Sequence, residues 1–511
     1  MTRLASPNRH AQEVLAFFDS QLFIDVQCAG IFPDSKTFAD ATPNQPLNAI
    51  LSAYEQERNQ TDFSLVTFVN RYFSIPEVVD VRFNTNEPLT IGDYITRMWD
   101  VLTKPADMGS DYSLLPLPHS YIVPGGRFRE VYYWDTFFSA LGLALSNKTD
   151  LVHDLIRNFL AIQAQVGCIP NGNRLYYATR SQPPVLALMS RFVDTDDASL
   201  QAALQAGLEH EYKFWMQRQT DSSGAASLRS VQLDDGVTLN RYFDTSETPR
   251  PESYREDCHL AAALPEQQKG TFYQHIRAAC ESGWDFSSRW LKDPQNLSTI
   301  RTCDIIPVDL NCLLYLLEQA LAERATGSEA ETYRQAANTR ATAIQHYGWS
   351  EQQGYFLDYH FPTAQQSDVL SLAGVMPLFA GIATQEQAKR VAEVLETQFL
   401  REGGLVTTLQ TTSQQWDSPN GWAPLQWFAV KGLMRYGFDD LAHKIMQRWN
   451  ALIANHYSTH GVILEKYNVE SPNSAVGGGE YEVQLGFGWS NGVYQSFESL
   501  LNSPFTKVKK M

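Results

Sequence analysis

Pro124-Gly125-Gly126-Arg127-Phe128-Arg129-Glu130-Val131-Tyr132-Tyr133-Trp134-Asp135 gathers backbone freedom, aromatic rings and opposite charges into one short stretch. Pro-Gly-Gly is a turn signal that lets the backbone approach a ligand closely. Arg127, Glu130 and Asp135 then set donors and acceptors beside ring faces, a combination that suits a sugar. The stretch reads as the lip of a pocket. Trp134-Asp135-Thr136 leads into an apolar-periodic run over residues 137–145, so a helix begins where the lip ends, and the helix dipole favours Asp135 near that start. A buried structural turn whose charges pair with one another fits the same residues and is the default for a segment of this composition taken alone.

Outward from this run, helical spacing recurs over residues 137–147, 148–166, 184–192, 199–218, 266–284, 308–325, 329–349, 367–383, 386–399, 427–436, 438–457 and 492–501. Upstream, residues 11–18 form a short amphipathic helix, 22–31 have mixed periodicity, and the Pro- and Asp-rich residues 32–46 read as extended loop. Helical spacing returns over 61–73 and 90–102, and 105–123 is loop. Alternating strands are few. Long helices joined by loops rich in Gly, Pro, Asn and aromatics predict antiparallel helix pairs with function on the loops at one end.

With 511 residues, 43% of them hydrophobic and 12% aromatic, the chain can bury a sizeable core as several domains or as one large toroid or barrel. A net charge of −17 argues against nucleic acid or an anionic membrane as partner, since both select a positive patch. Cys28, Cys168, Cys258, Cys280, Cys303 and Cys312 lack the spacing of a zinc site or redox pair. Residues 1–20 carry Arg3, Arg9, Glu13 and Asp19 without a continuous apolar core, and no run of about 18 apolar residues spans a membrane. The expectation is a cytoplasmic protein; a periplasmic chain already relieved of its leader reads the same.

The stretch from Pro124 to Asp135 resembles the first signature of the trehalases, glycoside hydrolase family 37, and Gln415-Trp416-Asp417-Ser418-Pro419-Asn420-Gly421-Trp422-Ala423-Pro424 resembles the second. Phe137 departs from the family's usual tyrosine, losing a hydroxyl but keeping the ring. The similarity runs from about Phe23 to Trp489. It implies an all-α protein, an (α/α)6 toroid of six inner and six outer helices with an amino-terminal arm. Residues 1–120 would be the arm and first helices packed on a catalytic toroid of residues 121–505, in one structural domain overall. Residues 310–317 are apolar on more than one side, as an inner helix requires.

Breaking a glycosidic bond needs one carboxylic acid to protonate the leaving oxygen and one carboxylate to activate water or attack carbon. Asp285, in Gly283-Trp284-Asp285-Phe286-Ser287-Ser288-Arg289-Trp290, lies between rings that raise an acid's pKa, as a general acid requires. On the residues alone it equally caps a turn or pairs with Arg289. Glu465, Glu470 and Glu480 compete as its partner. The resemblance carries the general base onto Glu465, in Glu465-Lys466-Tyr467, with Lys466 and Tyr467 expected to keep it ionised. Gly477-Gly478-Gly479 reads as a flexible lid that delivers Glu480 on closing, or as a fixed turn passing close to the body, and Glu470 reads as surface.

The resemblance further implies that Arg127, Phe128, Tyr132, Trp134, Asp135, Asn171, Arg180, Gln182, Arg250 and Glu252 bind substrate. Guanidinium forks suit vicinal hydroxyls. Trp134, Trp416 and Trp422 are expected to stack on pyranose faces, although a buried Trp serves equally as core. Asp309, at a helix start, reads as structural. The activity implied is hydrolysis of the α,α-1,1 bond of trehalose to two glucose molecules with inversion, by a monomer with no metal and no cofactor. The competing expectations are another (α/α)6 glucosidase acting on a small glucoside and a catalytically silent sugar-binding protein. Retention of both carboxyls opposes the second.

Overall fold

The computed structural model describes residues 9–503 apart from 78–80, 84–88, 108–111, 195, 219–223, 473, 475 and 477. Five helices form the arm: α1 (Arg9–Phe18), α2 (Gln21–Ala29), α3 (Ser35–Ala39), α4 (Leu47–Glu57) and α5 (Leu65–Tyr72). Next come α6 (Ile91–Leu102), α7 (Tyr133–Leu145), α8 (Thr149–Val166), α9 (Leu186–Met189, continued by a 3-10 turn, Ser190–Phe192) and α10 (Ala198–Met216). Helices α11 (Tyr254–Ala261) and α12 (Glu266–Ser282) precede α13 (Val308–Arg324), α14 (Gly327–Ala343), α15 (Met376–Ala380) and α16 (Gln385–Val394). The last three are α17 (Ala423–Arg435), α18 (Asp439–His460) and α19 (Gly488–Asn502).

Helices α7, α9, α13, α15, α17 and α19 each touch the next, and α19 packs back on α7, closing an inner ring. Their chain neighbours α6, α8, α10, α14, α16 and α18 form the outer layer, so the architecture is the (α/α)6 toroid. Closure at α7 and α19 requires two backbones in near contact. A Cβ on Gly142 would stand 2.8 Å from the Cα of Gly492, and one on Gly492 only 2.1 Å from the carbonyl oxygen of Phe138. Any side chain at either position would force the seam open. The ring is filled with aromatic edges, with Trp427 at 5.3 Å from Phe137 and Phe138 at 5.4 Å from Phe428.

Residues 32–46, read as loop, contain α3, whose N-cap Asp34 accepts the amide of Thr37. One and a half turns cannot display a helical period. Residues 367–383, read as one helix, hold a 3-10 turn (Leu372–Val375) and the short α15, which ends at Gly381 in the left-handed conformation. Strands are confined to short pieces of two or three residues among the described residues. One pair matters: β1 (Asn420–Trp422) and β2 (Lys466–Asn468) run antiparallel with Trp422 opposite Lys466, joining the second signature to the residues after Glu465.

The arm is tied to the toroid by charge as well as rings. Lys36 on α3 is buried, and its Nζ donates to Asp40 at 2.8 Å, Glu130 at 2.5 Å and the Tyr176 hydroxyl at 3.1 Å. Arg174 closes the network on Glu130 at 3.1 Å. Glu130 is therefore a structural anchor beneath the lip rather than one of its ligand-facing acceptors.

Candidate active site

Loops entering the amino-terminal ends of the inner helices converge on one pocket. It is lined by every residue expected above to act on or bind the substrate: Asp285, Glu465, Arg127, Phe128, Tyr132, Trp134, Asp135, Asn171, Arg180, Gln182, Arg250, Glu252, Trp416, Trp422 and Glu480. Helix starts supply amides and a positive potential there, and the loops between helices have the freedom to aim side chains inward.

Asp285 follows Gly283, the left-handed cap of α12, and is half-buried. Its peptide bond to Phe286 is cis. Its backbone carbonyl accepts from Gln415 Nε2 at 2.6 Å. Burial pushes its carboxyl up to about 7, with Arg250 opposing and the Glu480 carboxylate reinforcing the rise. Arg289 is not its partner. That guanidinium makes two-pronged contacts with Asp309 (2.7 and 2.8 Å) and Asp358 (2.7 and 2.9 Å) between the rings of Trp284 and Trp290. Asp309 is structural, and Asp285 is left facing the pocket. Asp417, also buried, accepts from Ser287, Ser288, Thr408 and Thr412 and so pins the loop just after Asp285 to the second signature.

Glu465 is 1% exposed. Its carbonyl is held by Trp489 Nε1 at 2.8 Å, and its Oε1 accepts from the Tyr481 hydroxyl at 2.9 Å. Burial raises its pKa against the opposing pull of Lys466, the Tyr481 hydrogen bond and Arg127. Of the two residues expected to keep it ionised, Lys466 does favour the charged form, though burial outweighs it, and Tyr467 does not reach it. Lys466 Nζ bonds Gln415 Oε1 at 2.5 Å, and the Tyr467 hydroxyl accepts the Leu464 amide instead of reaching the carboxylate. Asp135 sits in the first turn of α7, as expected, and burial, with the Glu465 and Asp285 carboxyls, raises its pKa well above the ordinary value.

Around the carboxyls, cations are already oriented. Arg250 Nη2 reaches Asp257 at 2.6 Å and Glu480 at 3.1 Å. Arg180 Nη2 reaches Glu252 at 2.5 Å, and its Nε reaches Asn171 at 3.3 Å. The Arg127 guanidinium lies over the Tyr481 ring at 4.8 Å. Gln182 accepts the amide of Trp134 at 3.0 Å. Among the described residues, four buried polar atoms of the pocket lack a hydrogen-bond partner: Arg127 Nε, Arg180 Nη1, Glu252 Oε2 and Glu465 Oε2. Native proteins rarely leave such atoms unsatisfied, and a cluster of donors and acceptors on one pocket matches a polyhydroxylated ligand.

Trp416 and Trp422 do not offer free faces. They stack on each other at 3.9 Å and 2°, and Trp416 stacks again on Trp284 at 5.5 Å. Their role as pyranose platforms is replaced by that of a rigid wall. Reading the sequence missed Tyr481, Phe487, Trp489, Tyr177, Lys36 and Cys280, which also line the pocket. Tyr481, adjacent to Glu480, is the one a neighbour could have flagged. Glu470 is exposed and pairs with Arg401, as a surface residue does. Of the triple glycine, Gly477 lies outside the described residues. Gly478 and Gly479 have φ of 70° and 111°, and a Cβ on Gly478 would stand 2.5 Å from the Ser413 carbonyl oxygen. Their smallness lets the segment carrying Glu480 and Tyr481 press against residues 413–415.

A helical toroid whose loops gather buried carboxyls, oriented guanidinium groups and aromatic walls in one pocket defines a glycoside hydrolase. The family model for trehalases matches residues 30–502, and the chain belongs to that family. It is 44% identical over 481 residues to the periplasmic trehalase of Salmonella newport, covering 92% of this chain and 84% of the relative. The periplasmic trehalase of Citrobacter koseri gives the same 44% identity and the same coverage, 92% and 84%. Among solved structures, the neutral trehalase of Saccharomyces cerevisiae matches with a TM-score of 0.63 and 26% identity, over 82% of this chain and 81% of that one. A mannosylglycerate hydrolase from Thermus thermophilus, at 16% identity and a TM-score of 0.53 over 80% of this chain and 100% of that one, shares the fold. The relatives' names lend no support to a cytoplasmic location, and no described helix is long and apolar enough to cross a membrane.

Proposed function

We propose that this chain is an α,α-trehalase that works as a periplasmic monomer and splits trehalose into two glucose molecules with inversion at one anomeric carbon. Residues 121–505 form its catalytic toroid, and residues 1–120 its arm and first helices. Asp285 is the general acid and Glu465 the general base. Glu465 takes a proton from water as the water oxygen bonds to the anomeric carbon, and Asp285 gives its proton to the bridging oxygen as the old bond breaks. The two carboxyl environments support this division. Burial raises both; at Asp285 Arg250 opposes the rise and the Glu480 carboxylate adds to it, leaving the carboxyl at about 7, whereas at Glu465 Lys466, the Tyr481 hydroxyl and Arg127 all favour the charged form. Arg127, Arg180, Arg250 and Glu480 foremost, with Phe128, Tyr132, Trp134, Asp135, Asn171, Gln182 and Glu252, bind the two rings, and Trp416 and Trp422 wall the pocket behind them. Glucose release from trehalose by the purified protein tests the reading, and proton NMR of early product must show equal α- and β-glucose. α-Glucose alone would mean retention, and no glucose would end the proposal. The names of the homologues support the periplasmic location, which fractionation of the source cells checks.

A further inference from the structure

Most histidines of the described chain put a ring nitrogen to use. His10, His153 and His210 bond backbone carbonyls, His275 accepts the amide of Cys303, and His360 bonds the Thr363 hydroxyl. His456 and His460 differ. Among the described residues neither makes a hydrogen bond or ion pair, and their rings lie side by side with centroids 4.4 Å apart and planes at 33°. They stand four residues apart at the end of α18, hence on one face of the helix and one turn from each other. His456 is half-buried and His460 exposed, so the pair opens to water.

Two histidines four apart on one helical face are a recurring way of holding zinc. A metal about 2.1 Å from one nitrogen of each ring needs those nitrogens roughly 3.0–3.4 Å apart. Rings with centres 4.4 Å apart reach that separation by turning about their side-chain bonds. The helix end adds to the attraction. α18 stops at His460, where Gly461 in the left-handed conformation gives its amide to the Tyr457 carbonyl at 2.7 Å. The free carbonyls of the last turn carry a partial negative charge that favours a cation. No third His, Cys, Asp or Glu joins the two among the described residues, so water would fill the remaining positions. Imidazole nitrogen selects zinc, nickel or copper over magnesium and calcium, which take oxygen ligands. Behind the pair, His456 meets the edge of Tyr467 at 5.7 Å, and the Tyr467 hydroxyl accepts the amide of Leu464, one residue before Glu465. An ion on the pair would fix the His456 ring against that support, outside the pocket wall.

We propose that His456 and His460 together bind one divalent transition-metal ion of the zinc class at the carboxy-terminal end of α18, a site separate from the hydrolytic pocket. The full chain, free of any affinity tag and treated with chelator, is titrated with zinc and with magnesium at matched ionic strength, following heat of binding and Tm. Zinc at hundredfold excess over Kd should raise Tm by about 2–3 °C, and magnesium should not. His456→Gln and His460→Gln should each weaken zinc binding at least about tenfold, the lower bound for losing even an indirect partner of a metal. His460 is exposed, so its replacement tests ligation without disturbing the core. Cys28→Ser, which removes the exposed thiol, should bind zinc as the wild type does. Equal responses to zinc and magnesium, undiminished zinc binding in both histidine variants, or loss of binding in Cys28→Ser alone overturns the proposal.

Discussion

Asp285 and Glu465 share one pocket but different fields, and chemistry follows from that difference. Replacing either by its amide, Asp285→Asn or Glu465→Gln, should cut kcat on trehalose by roughly 10²–10⁴-fold, the usual worth of positioned acid or base assistance. The far-UV spectrum should not change, and near-normal kcat in either variant would remove that residue from its role. Because the Asp285 pKa is raised to about 7, its proton is present below that pH and lost above it. A general acid of this kind makes kcat/KM fall on the alkaline side, with an apparent pKa near 7. Glu480 is one reason the value is high, so Glu480→Gln should move that alkaline limb to lower pH whatever it does to the height of the profile. An unmoved limb would mean that another group sets it.

At the scale of elements, packing decides what the sequence could and could not disclose. The long helices were legible because an apolar stripe over several turns has a measurable period, and α7, α8, α10, α13 and α18 lie within a few residues of where spacing put them. Short α3 was not, since it has too few turns to show one, and the run read over 367–383 is in fact broken by a 3-10 turn before the short α15. The family's signature letters brought the pocket residues together on paper, but only packing could reveal that Trp416 is sandwiched and that Arg289 belongs to Asp358, 69 residues away, and not to Asp285. That clamp has a measurable consequence. Arg289→Met leaves Asp309 and Asp358 in the interior without their shared cation, and breaking such a pair from one side costs about 3–5 kcal/mol. Urea unfolding should report a loss of that size, and a loss under about 1 kcal/mol would show that the carboxylates find other donors. The glycine segment behaves differently: Gly478→Ala brings a Cβ within 2.5 Å of backbone and pushes Glu480 and Tyr481 off the pocket. It should lower kcat while leaving Tm nearly unchanged, because few core contacts depend on it. A variant with wild-type kcat would show that the close approach does not position the two side chains.

The whole molecule depends on how its arm is fastened, since the pocket's lip is squeezed between the arm and the ring. Lys36 comes from α3, Glu130 from the stretch before α7, and Arg174 and Tyr176 from the loop after α8, so one buried ammonium joins three parts of the chain. Burial by itself would raise the Glu130 pKa, but Lys36 and Arg174 outweigh it and hold the carboxyl at about 2. Its folded pKa is thus depressed below the ordinary 4.5. The stabilisation it brings is complete above the unfolded value and disappears as pH falls from there toward 2. Lys36→Met keeps the volume of the side chain but leaves Glu130 and Asp40 to share Arg174, which should destabilise the folded chain by about 3–5 kcal/mol at neutral pH. The gap between variant and wild type should narrow as pH falls below about 4.5, because protonating Glu130 removes the charge that Lys36 serves. Urea unfolding of both proteins from neutral pH down to the lowest pH at which the wild type stays folded gives the comparison. A gap that stays constant would place the loss in the packing of α3, and a gap near zero throughout would mean that the arm is held by its phenylalanines alone.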